Sequence, residues 1–189
     1  MFPTLDKKLY KKGLNFFEYL DTLNEHRAQF DYTYELLRIY PQDEQFFREL
    51  PFPVHVFCIS QDWVLDCQQN VPVVARLVAL SPGADMSILE RDANPEVMEQ
   101  FLTRGLKRVP VFAFYDSQFR ELCRWAGRPK TPHALYNAGK DTMERNDLLG
   151  RISEWYELNK GKDLIRELRD LLEKAFKHLE KEAKESSAG

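Results

Sequence analysis

The stretch Val54–Pro72 decides the fold and reads Val-His-Val-Phe-Cys-Ile-Ser-Gln-Asp-Trp-Val-Leu-Asp-Cys-Gln-Gln-Asn-Val-Pro. Its first part, Val54–Ile59, is rich in β-branched and aromatic residues, which is typical of a buried strand. Ser60–Asp62 then break this pattern with polar side chains that are suited to capping a helix start. From Val64 to about Leu80, apolar residues recur at roughly helical spacing. The stretch therefore predicts a strand, a polar turn and a helix.

The start of this predicted helix carries the one motif in the chain that suggests chemistry, Trp63-Val64-Leu65-Asp66-Cys67. It resembles the Trp-Cys-x-x-Cys site of the thioredoxin superfamily, with Val64 in the position of the first cysteine. The form with an aspartate before the last cysteine is similar to a bacterial thioredoxin-like subgroup with a Trp-Cys-x-Asp-Cys type site. The resemblance places Trp63 at the mouth of the site and Cys67 in its deeper position.

Further features follow in the order that this family shows. Pro72 lies five residues after Cys67, where thioredoxins have a proline inside the active-site helix. Val109-Pro110 precedes an apolar run and resembles the cis-proline strand that faces the site. The resemblance covers roughly residues 52–150. It implies that Pro110 is cis and that the backbone of Val109 pairs with an extended peptide in the groove.

The rest of the chain predicts a mixed sheet with helices on both faces. A second strand is expected at Met86–Glu90, and a helix is expected from Asn94 to about Arg104, with Gly105 as its stop. Strands at Val109–Tyr115 and about Phe119–Ala126 are expected to pair as an antiparallel hairpin. The predicted fold class is a thioredoxin-like α/β domain with an N-terminal helical extension and a long C-terminal helix.

The helical extensions set the expected domain organisation: 1–50 as an N-terminal extension, 51–150 as the core and 151–189 as a C-terminal extension, in one compact unit. In the N-terminal part, two amphipathic segments, the second ended by Pro41, precede a short helix at Gln42–Leu50. The many aromatic residues of this part either pack on the sheet or line a pocket above the site. The last helix either packs on its own domain or forms a dimer seam, so a monomer or a homodimer is expected.

Composition limits the classes of function. The net charge of -3 over 189 residues includes no basic stripe, which argues against nucleic acid or an anionic membrane surface as partner. No stretch approaches the about 20 apolar residues that span a bilayer, and no signal sequence is evident, so a cytoplasmic location is expected. The three cysteines and four histidines show no metal-ligand spacing, so neither a metal nor a cofactor is expected.

The missing first cysteine leaves the chemistry open. In a dithiol thioredoxin the first cysteine attacks a substrate disulfide and the second resolves the mixed disulfide. Val64 cannot attack, so ordinary dithiol exchange is excluded unless another cysteine substitutes. Cys58 lies six residues before Val64, where the resemblance implies a position beneath Cys67, and it is either a buried disulfide partner or a small core residue.

Cys67 itself is either reactive or inert. A helix N-terminus favours its thiolate, whereas burial and the neighbouring charge of Asp66 oppose it. Three functions follow as hypotheses. The first is single-thiol redox chemistry at Cys67 with a protein or peptide thiol or disulfide. The second is a non-catalytic module that binds proteins or peptides in the groove. The third is binding of glutathione or another small thiol.

Overall fold

A four-stranded mixed sheet forms the centre of the protein, of which this computed structural model describes residues 4–187. The sheet order is β2-β1-β3-β4, with the strands β1 (Val54–Ser60), β2 (Ala84–Glu90), β3 (Val111–Tyr115) and β4 (Glu121–Ala126). β1 is parallel to β2, and β3 is antiparallel to both β1 and β4. The predicted mixed sheet and the predicted antiparallel hairpin, formed by β3 and β4, are thereby confirmed.

Helices flank this sheet. In the described part of the chain they are α1 (Lys7–Tyr10), α2 (Phe16–Thr22), α3 (Arg27–Leu36), α4 (Pro41–Arg48), α5 (Leu65–Leu80), α6 (Pro95–Met98), α7 (Lys130–Gly139), α8 (Arg145–Asn159) and α9 (Lys162–Ser187). α3 and α4 pack on α5, and α9 packs on β4. No helix within residues 4–187 is long and apolar enough to cross a membrane.

The long helix α5 begins differently from the expectation. Its N-cap is Val64, which has an extended backbone and a side chain that cannot accept a hydrogen bond. The predicted capping by a polar side chain of Ser60–Asp62 is therefore wrong. The Val64 carbonyl instead accepts from N–H groups of the first turn, from Cys67 at 2.9 Å and from Gln68 at 3.1 Å. Pro72 lies inside α5.

The helix expected from Asn94 to about Arg104 is too long. α6 ends at Met98, and a single 3₁₀ turn at Glu99–Phe101 follows it. Beyond this point Thr103 and Leu106 form an antiparallel bridge around a tight turn. Arg104 and Gly105 occupy the centre of that turn with φ of 52° and 74°, which is incompatible with a right-handed helix. The helical segment therefore ends at Phe101, before the turn that contains Gly105.

The N-terminal helices are joined to the sheet at the outer edge of β2. Leu14 and Ile88 exchange two backbone hydrogen bonds of 2.9 and 2.8 Å. Gly13 is required at this approach, because a Cβ there would lie 2.1 Å from the Ser87 hydroxyl oxygen. The predicted end of the second N-terminal segment at Pro41 is wrong, since α3 stops at Leu36 and Pro41 begins α4.

The aromatic residues of this part serve mainly as core. Phe16, Tyr19, Phe30 and Phe47 are buried and belong to one apolar cluster that also includes the sheet, α5 and α9. Helix-to-sheet packing is therefore their main role. The cluster extends from Leu5 to Phe176, so the helical segments at both ends contribute to the same core as the strands.

Candidate functional site

The thiol of Cys67 is closed off from solvent. The residue is 0% exposed in the first turn of α5, and the backbone N–H of Gln61 donates to its Sγ at 3.3 Å. Burial raises the pKa of the Cys67 thiol to about 12, although the Gln61 N–H and a hydrogen bond with Ser60 oppose that shift. A thiol in this state is protonated at neutral pH and has no path to a substrate.

A second buried layer lies under Cys67. Cys58, on β1, is also 0% exposed, and burial raises the pKa of its thiol well above the ordinary value. Cys58 and Cys67 are both free thiols in this structure. Tyr19 of α2 reaches the same layer, where its hydroxyl donates to Ser60 Oγ at 3.1 Å. The N-terminal helices therefore help to bury the site from below.

Asp66, the residue before Cys67, is also buried, but its side chain is surrounded by hydrogen-bond donors. Asp66 accepts two hydrogen bonds from Arg128 at its Oδ2, from Nη2 at 2.6 Å and from Nε at 3.0 Å. Its Oδ1 accepts a hydrogen bond from the Tyr156 hydroxyl at 2.7 Å. Asn70, one turn further along α5, donates to the oxygen of the same hydroxyl at 3.0 Å. We call these four residues, Asp66, Asn70, Arg128 and Tyr156, the buried network.

The buried network is a desolvated ion pair with hydrogen-bonding support. The side chains of Asp66 and Arg128 are 7% and 18% exposed. Burial raises the pKa of the Asp66 carboxyl, whereas the charge of Arg128 and the hydrogen bond from Tyr156 oppose that shift. Burial also raises the pKa of the Tyr156 hydroxyl, so it remains a donor. Among the residues that the structure describes, Arg128 Nη1 is buried without a hydrogen-bond partner, while the guanidinium carbon lies 4.8 Å from the centre of the Tyr136 ring.

The predicted mouth residues lie around this ion pair. Trp63 is 56% exposed, and the guanidinium carbon of Arg91 lies 5.0 Å from its ring centre. Val64 is half-buried at the N-cap of α5. Leu65 faces the other way and packs against a small apolar cluster that includes Ile152 of α8. The helix α8 therefore covers one side of the predicted mouth.

The turn before β3 lies at the end of the hairpin that delivers Arg128. The Val109–Pro110 peptide bond is cis, and both residues are buried. The Pro110 carbonyl accepts a hydrogen bond from the N–H of Gly127 at 2.8 Å. Gly127 has φ of 84°, and the next residue, Arg128, extends toward Asp66. The hairpin thus brings the Pro110 turn and the ion pair to the same end of the sheet.

The side of the mouth that α7 forms is basic. Burial lowers the pKa of His133, and the positive charges of Arg108, Arg128 and Arg104 lower it further. Asp66 is the carboxylate that acts on His133 in the opposite direction. Two apolar side chains of the same helix, Leu135 and Tyr136, are 40% and 38% exposed beside these charges. This side offers apolar contact next to positive charge.

The structure thus brings the candidate residues of the sequence together in part. Trp63, Val64, Asp66 and Cys67 share one turn, and the Pro110 turn lies at the same end of the sheet. Sequence reasoning missed Arg128 and Tyr156, which donate to Asp66, and Asn70, which donates to the Tyr156 hydroxyl. Asn70 was signalled by its spacing of four residues on one helix face. Tyr156 carried no local signal, because it lies 90 residues away in the chain.

Metal chemistry has no visible basis at this site. Within residues 4–187, no group of three or more histidine, cysteine, aspartate or glutamate side chains is placed to hold a metal ion. The titratable groups of the site are instead paired with one another or buried among apolar side chains.

Comparison with known proteins extends these observations. A crystal structure of a protein of unknown function from Pseudomonas aeruginosa matches with a TM-score of 0.67 and 17% identity, over 88% of this chain and 96% of that one. A crystal structure of an HIV epitope-scaffold matches with a TM-score of 0.65 and 16% identity, over the same shares. No curated protein matches the sequence. The family described as Thioredoxin matches residues 13–144, and the chain therefore belongs to the thioredoxin family.

Proposed function

We propose that this protein is a non-catalytic member of its family that binds a protein or peptide partner and does not exchange disulfides through Cys67. The observation that carries the proposal is the state of Cys67, which is 0% exposed and has a pKa raised to about 12 by burial. The resemblance of the motif aligns Val64 with the attacking cysteine of the family, and valine has no nucleophilic atom. The finer likeness to the bacterial subgroup and a cytoplasmic location belong to the same proposal.

The chemical argument concerns the thiolate. Only the thiolate attacks a disulfide, and a thiol with a pKa of about 12 is ionised in about one molecule in 100,000 at pH 7. The neighbouring buried network adds a mechanical obstacle, because Arg128 is bound to Asp66 by two hydrogen bonds over the same helical turn. Both effects favour a site that binds without reacting.

The surface proposed for the partner consists of the exposed parts of Trp63, Leu135 and Tyr136, which we call the mouth surface. Each of its two aromatic rings is backed by a guanidinium group, Trp63 by Arg91 and Tyr136 by Arg128. Exposed aromatic rings that are already held in position lose little freedom on binding, which suits them as anchors in an interface. The basic side formed by α7 favours a partner that carries carboxylates beside an apolar side chain.

The test is a comparison of disulfide reductase activity. In the turbidimetric reduction of insulin by dithiothreitol, the wild-type protein and the Cys67→Ser variant are expected to leave the rate at its uncatalysed value. The Val64→Cys variant is expected to form a disulfide with Cys67 under oxidising conditions, detected as the loss of two hydrogens in the intact mass. The Val64→Ser variant is the matched control. Catalysis by the wild type that is lost in Cys67→Ser would overturn the proposal.

A second candidate is single-thiol chemistry with glutathione. It is favoured by the hydrogen bonds that the Cys67 sulfur receives from the Gln61 N–H and shares with Ser60, because such bonds stabilise a thiolate. Incubation of the native protein with oxidised glutathione distinguishes the two functions. A mixed disulfide mapped to Cys67 would favour this candidate, whereas an unchanged mass at Cys67 supports the binding module.

A further inference from the structure

The strand β4 lies at one end of the sheet, so among the described strands only one of its two edges is paired, the edge that faces β3. A free strand edge presents backbone N–H and C=O groups that pair readily with another extended chain. One contact of this kind is already present just before β4 begins. Thr4 forms an antiparallel bridge with Arg120, and the Leu5 N–H donates to the Phe119 carbonyl at 3.0 Å. The first described residue therefore lies beside the outer edge of β4.

This bridge constrains the path of the residues that precede Thr4. In an antiparallel pair, one step back along the first segment is one step forward along the second. Three residues, Met1-Phe2-Pro3, precede Thr4 in this sequence and lie outside the described residues. At about 3.3 Å per residue, an extended segment of this length spans about 10 Å. That length reaches the level of Cys123 on β4, and continued pairing brings Phe2 beside Leu122.

A cleft of about 230 Å³ lies at this position, between β4 and the C-terminal half of α9. Its apolar walls come from both elements, and each of these side chains is partly exposed: Leu122, Cys123, Leu171, Ala175 and Leu179. The volume lies below the about 300 Å³ at which small-molecule sites begin, so the cleft suits one side chain better than a separate ligand. An added strand would gain backbone pairing from the edge and burial of that side chain from the cleft.

The alternation of side chains along a strand decides which residue of the segment enters the cleft. Leu5 lies on the face of the sheet that carries Tyr115, since both line a second cleft there. The neighbouring residue of β3, Phe114, lines the opposite face together with Leu172 of α9. Successive residues of a strand point to opposite faces, so Phe2, three residues from Leu5, is on the face of α9. Phe2 is thus the residue of the segment that reaches the cleft.

We propose that Met1-Phe2-Pro3 continues the bridge as a short strand on the outer edge of β4, with the ring of Phe2 in the cleft against α9. The consequence is a closed sheet edge. An open strand edge pairs with further chains, including other copies of the same protein, and a short covering strand prevents such pairing. This placement is separate from the mouth surface and does not depend on the function proposed above.

Two readouts test this placement in the full-length protein. The first is a nuclear Overhauser spectrum, in which the ring protons of Phe2 are expected to show contacts with the methyl groups of Leu122 and Leu179. The second is the rate at which iodoacetamide alkylates Cys123, a free and partly exposed thiol that lines the cleft. Phe2→Ala is expected to raise this rate about tenfold or more, because the loss of a buried aromatic side chain favours the open cleft by at least that factor.

Two controls separate this effect from a general loosening of the protein. Phe17→Ala removes a ring that is 60% exposed in the same part of the chain, and it is expected to leave the Cys123 rate unchanged. Cys58, which is 0% exposed and does not line the cleft, is expected to stay unmodified in every variant. Absence of the Phe2 contacts, or equal Cys123 rates in Phe2→Ala and the wild type, would overturn the proposal. A wild-type rate that falls with rising protein concentration would also overturn it, because a second copy would then be what covers the edge.

Discussion

Two aspartates in this protein have the same kinds of partner but very different surroundings. Asp66 accepts from the Tyr156 hydroxyl and pairs with Arg128, and its side chain is 7% exposed. Asp85, at the outer edge of β2, accepts from the Tyr10 hydroxyl and lies 2.7 Å from His55 Nδ1, but its side chain is 58% exposed. We call the second set, Asp85, Tyr10 and His55, the edge cluster.

The difference in burial determines what each cluster contributes. Water replaces a lost partner at the edge cluster, so exposed pairs of this kind contribute about 0–1 kcal/mol. Within the buried network no water is available to solvate a charge whose partner is removed. The buried network therefore stabilises the first turn of α5, which carries both Asp66 and Cys67. The edge cluster only helps to fasten α1 to the sheet. The same types of contact therefore contribute strongly to stability in the buried network and little in the edge cluster.

The largest expected effect is that of Asp66→Asn. This variant keeps an oxygen for the Tyr156 hydroxyl but leaves the guanidinium of Arg128 buried without a counter-charge. The free energy of unfolding is expected to fall by about 3–5 kcal/mol, as for other buried pairs that lose one member. Urea denaturation followed by tryptophan fluorescence measures it. A loss below about 1 kcal/mol would contradict the role assigned to the buried network.

A double variant separates the charge from the packing. Arg128→Met and Asp66→Leu each leave one buried charge alone, but together they replace the ion pair with apolar side chains of similar reach. The double variant is expected to lose less stability than the sum of the two single variants, with a coupling of about 1–3 kcal/mol. Denaturation of all four proteins gives this coupling. Additive losses would mean that the two side chains act independently.

The hydroxyl groups provide the next comparison. Tyr156→Phe removes the donor to Asp66 and the oxygen to which Asn70 donates, and it is expected to cost about 2 kcal/mol. The matched change in the edge cluster, Tyr10→Phe, is expected to cost about 1 kcal/mol or less, because water can reach Asp85. The same denaturation experiment measures both. Equal losses in the two variants would remove burial as the explanation.

The smallest effect is expected for Asp85→Asn. Its carboxylate is more than half exposed, so removal of the charge is expected to change the free energy of unfolding by at most about 1 kcal/mol. Added salt is expected to reduce even that difference, since exposed ion pairs are screened. Denaturation with and without added sodium chloride measures both effects. A loss as large as that of Asp66→Asn would show that the edge cluster is also essential.

Local patterns explain what the sequence predicted well. β1, α5 and the hairpin of β3 and β4 follow directly from apolar runs and from the turn residues between them. The predicted helix at Asn94–Arg104 failed because nothing local distinguishes its last turn from the tight turn at Arg104 and Gly105. The capping of α5 was misjudged because polar residues near a helix start do not establish which backbone group they satisfy.

Only the part of the site that is contiguous in the sequence could be predicted. Trp63, Val64, Asp66 and Cys67 form a contiguous motif, so their shared position on one turn followed from the sequence. The charge of Asp66 was expected to oppose the thiolate of Cys67, and it does help to raise the pKa of that thiol. The sequence did not show that Asp66 is also engaged by Arg128 and Tyr156. These contacts span 62 and 90 residues, and no periodicity or local composition signals a contact of that range.

The central claim is that Cys67 is a closed and inert thiol, and the pH dependence of its alkylation tests it most directly. The native protein is treated with iodoacetamide over a series of pH values, and each cysteine is quantified by peptide mass spectrometry. Cys58, which is also 0% exposed, is the internal control, and denatured protein gives the full signal. We predict that Cys67 stays unmodified while the protein is folded, because the thiol is 0% exposed and burial raises its pKa to about 12. Rapid alkylation of Cys67 at neutral pH, with an apparent pKa well below the about 8.5 of a free cysteine, would contradict this account.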